Sequence, residues 1–232
     1  MKSETQKCKK CQGNFTLEPD DFSFYEKMKV PPPKVCPDCR FKMRAVFRNE
    51  RTLYNSVCKL CGRSIITMYN PHSTHVVYCN DCWISDKWDP YSYGMDYDFG
   101  RPFFDQLKEL VEKVPKSATY SSIYTGVNIN SEYANFAGGN KDGYLIFNCG
   151  PNNENCAYSR GLIASRDVFD VYFGDYLENV YECVNAHKNN GVVYGQNVYD
   201  SIDSRFLLNC SDCINCFACV NLRHKSYHFF NE

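Results

Sequence analysis

Eight cysteines in the first ninety residues stand in four C-x-x-C pairs: Cys8/Cys11, Cys36/Cys39, Cys58/Cys61 and Cys79/Cys82. Two thiolates two residues apart fit one tight knuckle and can reach one ion. Two such knuckles complete a tetrahedral four-thiolate site with Zn–S distances of about 2.3 Å. Pairing neighbours leaves spacers of 24 and 17 residues, ordinary for zinc ribbons and treble clefs. Two zinc ions per chain are therefore expected, one on Cys8, Cys11, Cys36 and Cys39, the other on Cys58, Cys61, Cys79 and Cys82. Interleaved pairing is the less economical alternative. A site closed by four thiolates leaves no position for water, so these zincs are structural and not catalytic. His72 and His75 lie between the last two pairs and offer substitute ligands, but the cysteines already suffice.

A second arrangement, "NCSDCINCFACVNL", places Cys210, Cys213, Cys216 and Cys219 at every third position. Bacterial ferredoxins space their ligands C-x₂-C-x₂-C-x₃-C-P, whereas here the last gap is two and Val220 follows. A third zinc or a cluster is chemically open. However, Phe217, Val220 and Leu222 alternate with the sulfurs, and free cysteine is among the most buried residue types. Core packing is the favoured reading for these four and for Cys149, Cys156 and Cys183.

The elements that must position these groups fall into three regions. Residues 1–90 carry the paired cysteines and short hydrophobic runs, as a small zinc-stabilised α+β domain of tandem treble-clef or zinc-ribbon type. "SIITMYNPHSTHVVYC" suggests a hairpin turning at "NPHST", and "RFKMRAVFRNER", free of Gly and Pro, a helix behind the second knuckle. Residues 91–116 are an aromatic, acidic linker and a bridging helix. In "RPFFDQLKELVEKVPK" the residues Phe103, Phe104, Leu107, Leu110, Val111 and Val114 recur at helical spacing; Pro102 suits a first turn and Pro115 a stop. The apolar face of that helix is expected to pack.

Residues 117–232 hold 17 of the 22 asparagines and only short strand-like pieces: "YLIF", "VFDVYF", "VVYG", "RFLL" and "YHFF". Cys156, Cys183 and Cys210 lie 27 residues apart each time. This pattern predicts an all-β domain, a short right-handed parallel β-helix with a coil in the low twenties of residues. Asparagine suits its left-handed turns and ladders. The alternatives are an irregular β-sandwich or a jelly roll. The chain stops at "FFNE" with no polar cap, so a partner or further chain is expected to cover that end.

The formal charge of −1 hides a gradient: residues 1–60 hold 13 basic against 7 acidic side chains, and residues 121–232 hold 7 against 12. A polyanion would meet the N-terminal end. There, Arg40, Arg44, Arg48 and Arg51 would share one helical face, with Lys34 and Lys42 nearby, a stripe suited to phosphates. The alternative is a solvated face or pairing with acidic groups. In "WISDKWDPYSYGMDYDF", Trp83, Trp88, Tyr91, Tyr93, Tyr97 and Phe99 stand among four aspartates. Those acids repel phosphate, so an inter-domain core is favoured over base stacking.

No nucleophile–base pair, P-loop or dinucleotide fingerprint appears. Asp167, Asp170, Asp175, Asp200 and Asp203 could gather on one β-helix face as in carbohydrate-cleaving enzymes, but turn-forming Asp is the expected role. The N-terminus lacks a secretory h-region, and no run reaches the ~20 apolar residues of a membrane span. An intracellular, cytoplasmic protein, or one of a virion or host cytoplasm, is expected, since paired cysteines then serve metals.

The segment "CKKCQGNFTLEPDDFSFYEKMKVPPPKVCPDCRFKMR" resembles treble-clef zinc-binding domains of many bacterial proteins. The stretch through "RNERTLY", "CKLCG", "VYCNDCWISDKWDP" and "DYDFGRPFFDQ" is similar to uncharacterised zinc-ribbon proteins of small-genome bacteria and large DNA viruses. The resemblance spans roughly residues 8 to 110. It implies zinc binding and brings no activity. The function expected is a non-enzymatic adaptor that docks on RNA or DNA through its basic helix and presents the β-domain to a protein partner. A purely structural assembly protein is the alternative.

Overall fold

The computed structural model describes residues 2–121 and 126–232. The chain divides into two compact units, residues 1–49 and 50–232. The composition places a boundary near residue 90; instead the second cysteine group shares a unit with the β-domain.

In the first unit, β1 (Glu4–Lys7) and β2 (Asn14–Leu17) pair antiparallel, Glu4 opposite Leu17. The Cys8–Cys11 knuckle is their turn, closed by Cys8 N–H to Gly13 O and Gln12 N–H to Cys8 O. Helix α1 (Pro19–Lys27) starts at a reciprocal Glu18/Asp21 capping box with proline in its first turn. Helix α2 (Pro37–Ala45) starts at Cys36. The small core is Cys8, Phe15, Leu17 and Cys36, flanked by Phe22, Tyr25 and Val35. Neither helix has a fully buried residue.

Helix α2 is shorter than expected. Phe47 N–H donates to Arg44 O and Arg48 N–H to Ala45 O. These i→i−3 bonds tighten the last turn and end the helix. Arg48 and Arg51 therefore lie beyond it, and the four-arginine helical stripe does not form.

The second unit begins with β3 (Tyr54–Val57) and β4 (Ser64–Thr67), an antiparallel pair turning at Cys58–Cys61. The hairpin expected about "NPHST" does not form. That segment is a turn in which Asn70 accepts the His72 and Ser73 N–H groups, and β5 (Val77–Tyr78) pairs parallel with β6 (Lys116–Ser117). Between β5 and β6 come α3 (Asn80–Trp83), a 3₁₀ turn over Pro90–Tyr93, and α4 (Phe103–Lys113).

The boundaries of α4 are as expected, but its packing is not. Its one buried residue is Gln106, which accepts the Asp98 N–H and donates to Asp98 O and Arg101 O. Phe104, Leu107 and Val111 are exposed. The aromatic linker is likewise no inter-domain core. Trp88 packs edge-on against Tyr78 and Tyr93 beside the second cysteine group, while Phe99 is 92% exposed.

The remaining strands are β7 (Lys141–Tyr144), β8 (Glu154–Ala157), β9 (Arg160–Ile163), β10 (Arg166–Asp175), β11 (Glu178–His187), β12 (Val193–Tyr199), β13 (Arg205–Ile214) and β14 (Arg223–Ser226). They form a seven-turn parallel β-solenoid. All its strand pairings are parallel, which excludes the sandwich. The coil is not in the low twenties. Arg166 pairs with Glu178, Tyr181 with Val193, Val193 with Arg205 and Ser211 with Arg223, a step of twelve residues.

Each coil is four triplets. In β11 every third residue is buried: Val180, Cys183 and Ala186. The residue before each buried one has positive φ, as Asn179, Glu182 and Asn185 do. A left-handed residue between extended ones turns the chain sharply every three positions. That conformation costs an L-residue roughly 1–2 kcal/mol, least for Asn and Asp, which explains the asparagine enrichment. Ladders offset the cost: Asn185 Nδ2 donates to Asn197 Oδ1 (3.0 Å) and Asn197 Nδ2 to Asn209 Oδ1 (2.8 Å).

So tight a coil has room inside for one modest side chain per triplet. Serines bridge successive coils: Ser201 Oγ donates to Tyr199 O and accepts the Cys213 N–H twelve residues on. The start of the second unit is tied to the solenoid. Glu50 and Arg160 form an ion pair with both side chains largely buried. Asn135 Nδ2 donates to Glu50 O and its Oδ1 accepts the Tyr120 N–H.

Candidate metal centres

Both cysteine groups are assembled alike. The first pair of each sits in a hairpin turn, and the second opens a helix, Cys36 as N-cap of α2 and Cys79 as N-cap of α3. A helix start favours negative charge, here thiolate. The segments "QKCKKCQGNFTL" and "SVCKLCGRSIIT" align position for position around their cysteines. This internal repeat is the sequence signal that places the second hairpin at Cys58–Cys61 and not at "NPHST".

Within each group the four sulfurs lie within 4.8 Å of one another. Cys11 Sγ and Cys36 Sγ are 3.7 Å apart, Cys61 Sγ and Cys79 Sγ 4.0 Å. A tetrahedron with Zn–S of about 2.3 Å has edges of about 3.8 Å, so the groups suit two zinc ions. The pairing of neighbours expected from the spacers is the one found. Cys8 and Cys58 are buried, and Cys11 and Cys61 exposed.

The surroundings prepare thiolates. Backbone N–H groups of Cys36 and Lys10 point at Cys8 Sγ (3.3 and 3.4 Å); the Cys36 N–H above all, against burial, brings the Cys8 thiol down to about 6. Burial pushes the Cys58 thiol up, but N–H donors led by Cys79 outweigh it and bring it down to about 6. The hydrogen bond to Cys36 and then burial push Cys39 up to about 12; Cys82 reaches about 12 through Cys79 and burial. Four sulfurs this close cannot all ionise without a cation among them. Arg63, paired with Asp81 at 2.6 Å, adds positive charge beside the Cys79 sulfur of the second group.

His72 and His75 belong to neither group; His75 stacks edge-on against Tyr69. Cys210, Cys213, Cys216 and Cys219 do not gather either. They occupy the four inward positions of one coil, 0–2% exposed. Each thiol turns to the wall: Cys213 Sγ donates to Ser211 O and Leu222 O, and Cys219 Sγ to Phe217 O and His228 O. Burial and the neighbouring sulfurs hold Cys213 protonated, up to about 12. Serine and cysteine alternate at these positions, Ser201 with Cys213 and Ser204 with Cys216, each serine Oγ accepting the cysteine N–H. The 27-residue spacing of Cys156, Cys183 and Cys210 is two coils plus one triplet, so successive cysteines take successive inward positions. Replacing Cys213 with serine is expected to leave the fold intact and the zinc content at two per chain. A fall in bound metal by elemental analysis would refute the core assignment.

The basic side chains are partly brought together. Arg40, Lys42 and Arg44 ride on α2, with Lys42 and Arg44 exposed; Lys34 precedes it, exposed, its carbonyl accepting the Lys9 N–H. Arg51 leaves the group: its guanidinium lies over the Phe147 ring at 5.2 Å. The five aspartates do not cluster. Asp167, Asp170, Asp200 and Asp203 take left-handed corner positions. Asp170 and Asp200 stand at different corners, Asp167 and Asp203 at one corner but three coils apart, and Asp175 pairs with His187. Among the described residues no helix is long and apolar enough to cross a membrane. Comparisons with protein-family models, curated proteins and solved structures found no significant match to this chain.

Proposed function

We propose that this chain is a non-enzymatic zinc-binding adaptor whose first unit docks on RNA or DNA. Each cysteine group, a hairpin knuckle facing a helix start, is read as a zinc site of treble-clef or zinc-ribbon type. Zinc there supplies cross-linking and no chemistry on a substrate. The observation that carries the nucleic-acid reading is α2 itself. It buries none of its residues, and its exposed surface interleaves Lys42 and Arg44 with Phe41, continuing into Phe47, 91% exposed. Cations neutralise phosphates while aromatic rings accept unstacked bases, a combination suited to single strands. The solenoid, its coils stacked through parallel strand pairing, would present a protein partner with a fixed surface.

The test is binding of a fluorescent single-stranded oligonucleotide, RNA and DNA in turn, by the zinc-loaded chain across a salt series. Replacing Lys42 and Arg44 with glutamate is expected to weaken binding by at least about tenfold and to lower the log–log salt slope by about 1–2. Phe47→Ala is expected to weaken it further without changing that slope. No binding by the unaltered chain, or equal binding by the charge-reversed one, would favour the purely structural alternative.

A further inference from the structure

One face of the solenoid is aromatic along its length. Phe169, Tyr181, Tyr194, Phe206 and Phe217 stand on successive coils, all exposed; Tyr194 is 41% and Phe206 47% exposed. The rings support one another: Tyr194 stacks on Phe206 at 4.9 Å and 12°, and Phe206 meets Phe217 edge-on at 5.2 Å. Tyr194 and Phe206 thus cover one face of each other, which leaves less free ring for a base or sugar and suits another flat face. Continuous exposed apolar surface of this kind marks an interaction site.

The charges on that face identify its occupant. Asp170 and Glu182 stand on the coils before Tyr194 and Arg205 on the coil after it, all exposed. None of the three has an ion-pair partner among the described residues. Asp170, Glu182, Tyr194 and Phe206 also rim one shallow depression. We infer that this face binds a second copy of the chain, the two solenoids running antiparallel about a two-fold axis through the coil of Tyr194. The rotation lays the Tyr181–Glu182 coil of each copy over the Arg205–Phe206 coil of the other. Each Arg205 then lies over a Tyr181 ring with Glu182 beside it, and Tyr194 meets itself. Coils spaced about 4.8 Å apart match themselves in this arrangement at every step. Parallel solenoids would instead set the acidic coils against each other, and the same acids repel nucleic acid. An isologous contact of this kind is the commonest form of self-association. The dimer is expected to be concentration-dependent, with a dissociation constant on the order of micromolar.

The inference stands apart from nucleic-acid binding and is tested by sedimentation equilibrium of the zinc-loaded full chain up to about 300 μM. Dimerisation is expected, lost in Tyr194→Asp. Glu182→Arg and Arg205→Glu are each expected to weaken it by roughly tenfold or more. Mixing these two single variants one to one restores it, because each then supplies the charge the other lacks. That restoration is specific to a self-complementary contact. A monomer at the highest concentration, a dimer indifferent to Tyr194→Asp, or single variants that fail to complement would overturn the inference. Circular dichroism on each variant separates loss of contact from loss of fold.

Discussion

Chelation of zinc is expected to unfold residues 2–49 and leave the β-signal of the solenoid in place. The first unit has almost nothing else to hold it: apart from Cys8 and Cys36, its buried side chains are Phe15 and Leu17, and its two helices bury none. Units this small do not fold on such a core without a metal or disulfide. Structural zinc supplies about 10–16 kcal/mol of binding free energy near neutral pH, and in such a unit that is the folding free energy. The second group has more support, from Ile65, Val77, Tyr78 and Ala118, and loosens only locally. Elemental analysis is expected to find two zincs per chain, falling to one in Cys11→Ser and one in Cys61→Ser. Amide exchange should show β1 and β2 losing protection in the first variant only. Full protection of these strands after complete chelation would refute the assignment.

The same sites set a pH dependence. The Cys8 and Cys58 thiols, held down to about 6, bind fewer protons folded than unfolded. Their contribution to stability is complete above the ordinary thiol value near 9, declines as pH falls, and is gone below about 6. Cys39 and Cys82, up at about 12, must give up protons to bind metal. Both effects have one sign for the metal-bound state: zinc is held more tightly as pH rises and released as pH falls. A zinc-release titration with a chromogenic chelator checks this, and release that does not depend on pH would contradict it.

The second large effect is expected in the solenoid core. Val168, Val180 and Val192 lie one above another, twelve residues apart, each 0–1% exposed. Val180→Asp places a carboxylate in the middle of this column, where the inward hydroxyl of Ser165 is already engaged with the Leu177 N–H. An unpaired buried charge costs several kcal/mol. In a solenoid each coil is supported only by its neighbours, so damage to a central coil separates the stack into two shorter ones. Val180→Ala, by contrast, costs about 2–3 kcal/mol for its lost methyl groups and cavity. Denaturant unfolding should show the alanine variant shifted but cooperative, and the aspartate variant with its β-signal reduced or its transition split. A single unshifted transition in Val180→Asp would mean the column is not the core.

What was legible in the sequence follows from how local each feature is. Cys8/Cys11 and Cys58/Cys61 each form a knuckle within four residues, so their spacing announces a metal site before any fold is known. The helix over Phe103–Lys113 was equally readable, since its periodicity and flanking prolines are local. The nature of its surroundings was not. That Gln106 faces inward while Phe104 and Leu107 face out depends on the turn at Asp98–Arg101, which no periodicity reports. The coil length is hidden for a similar reason. The 27-residue recurrence of cysteine is real, but the repeating unit is a triplet marked by conformation. Bulky residues at left-handed positions, such as Phe173 and Phe206, conceal it.

By itself, then, the sequence determined the two cysteine groups suited to zinc, the presence of a repetitive β-domain and the basic character of the first unit. Thiolate chemistry, turn-forming asparagine and net charge act residue by residue. Only the tertiary structure decided that four evenly spaced cysteines are packing and not ligands, that Arg51 serves the Phe147 ring while Lys42 and Arg44 stay exposed on α2, and that the aromatic residues align on one face. Each of these depends on which residues stand twelve apart in adjacent coils or at the end of a helix, and that register exists only once the coil has closed.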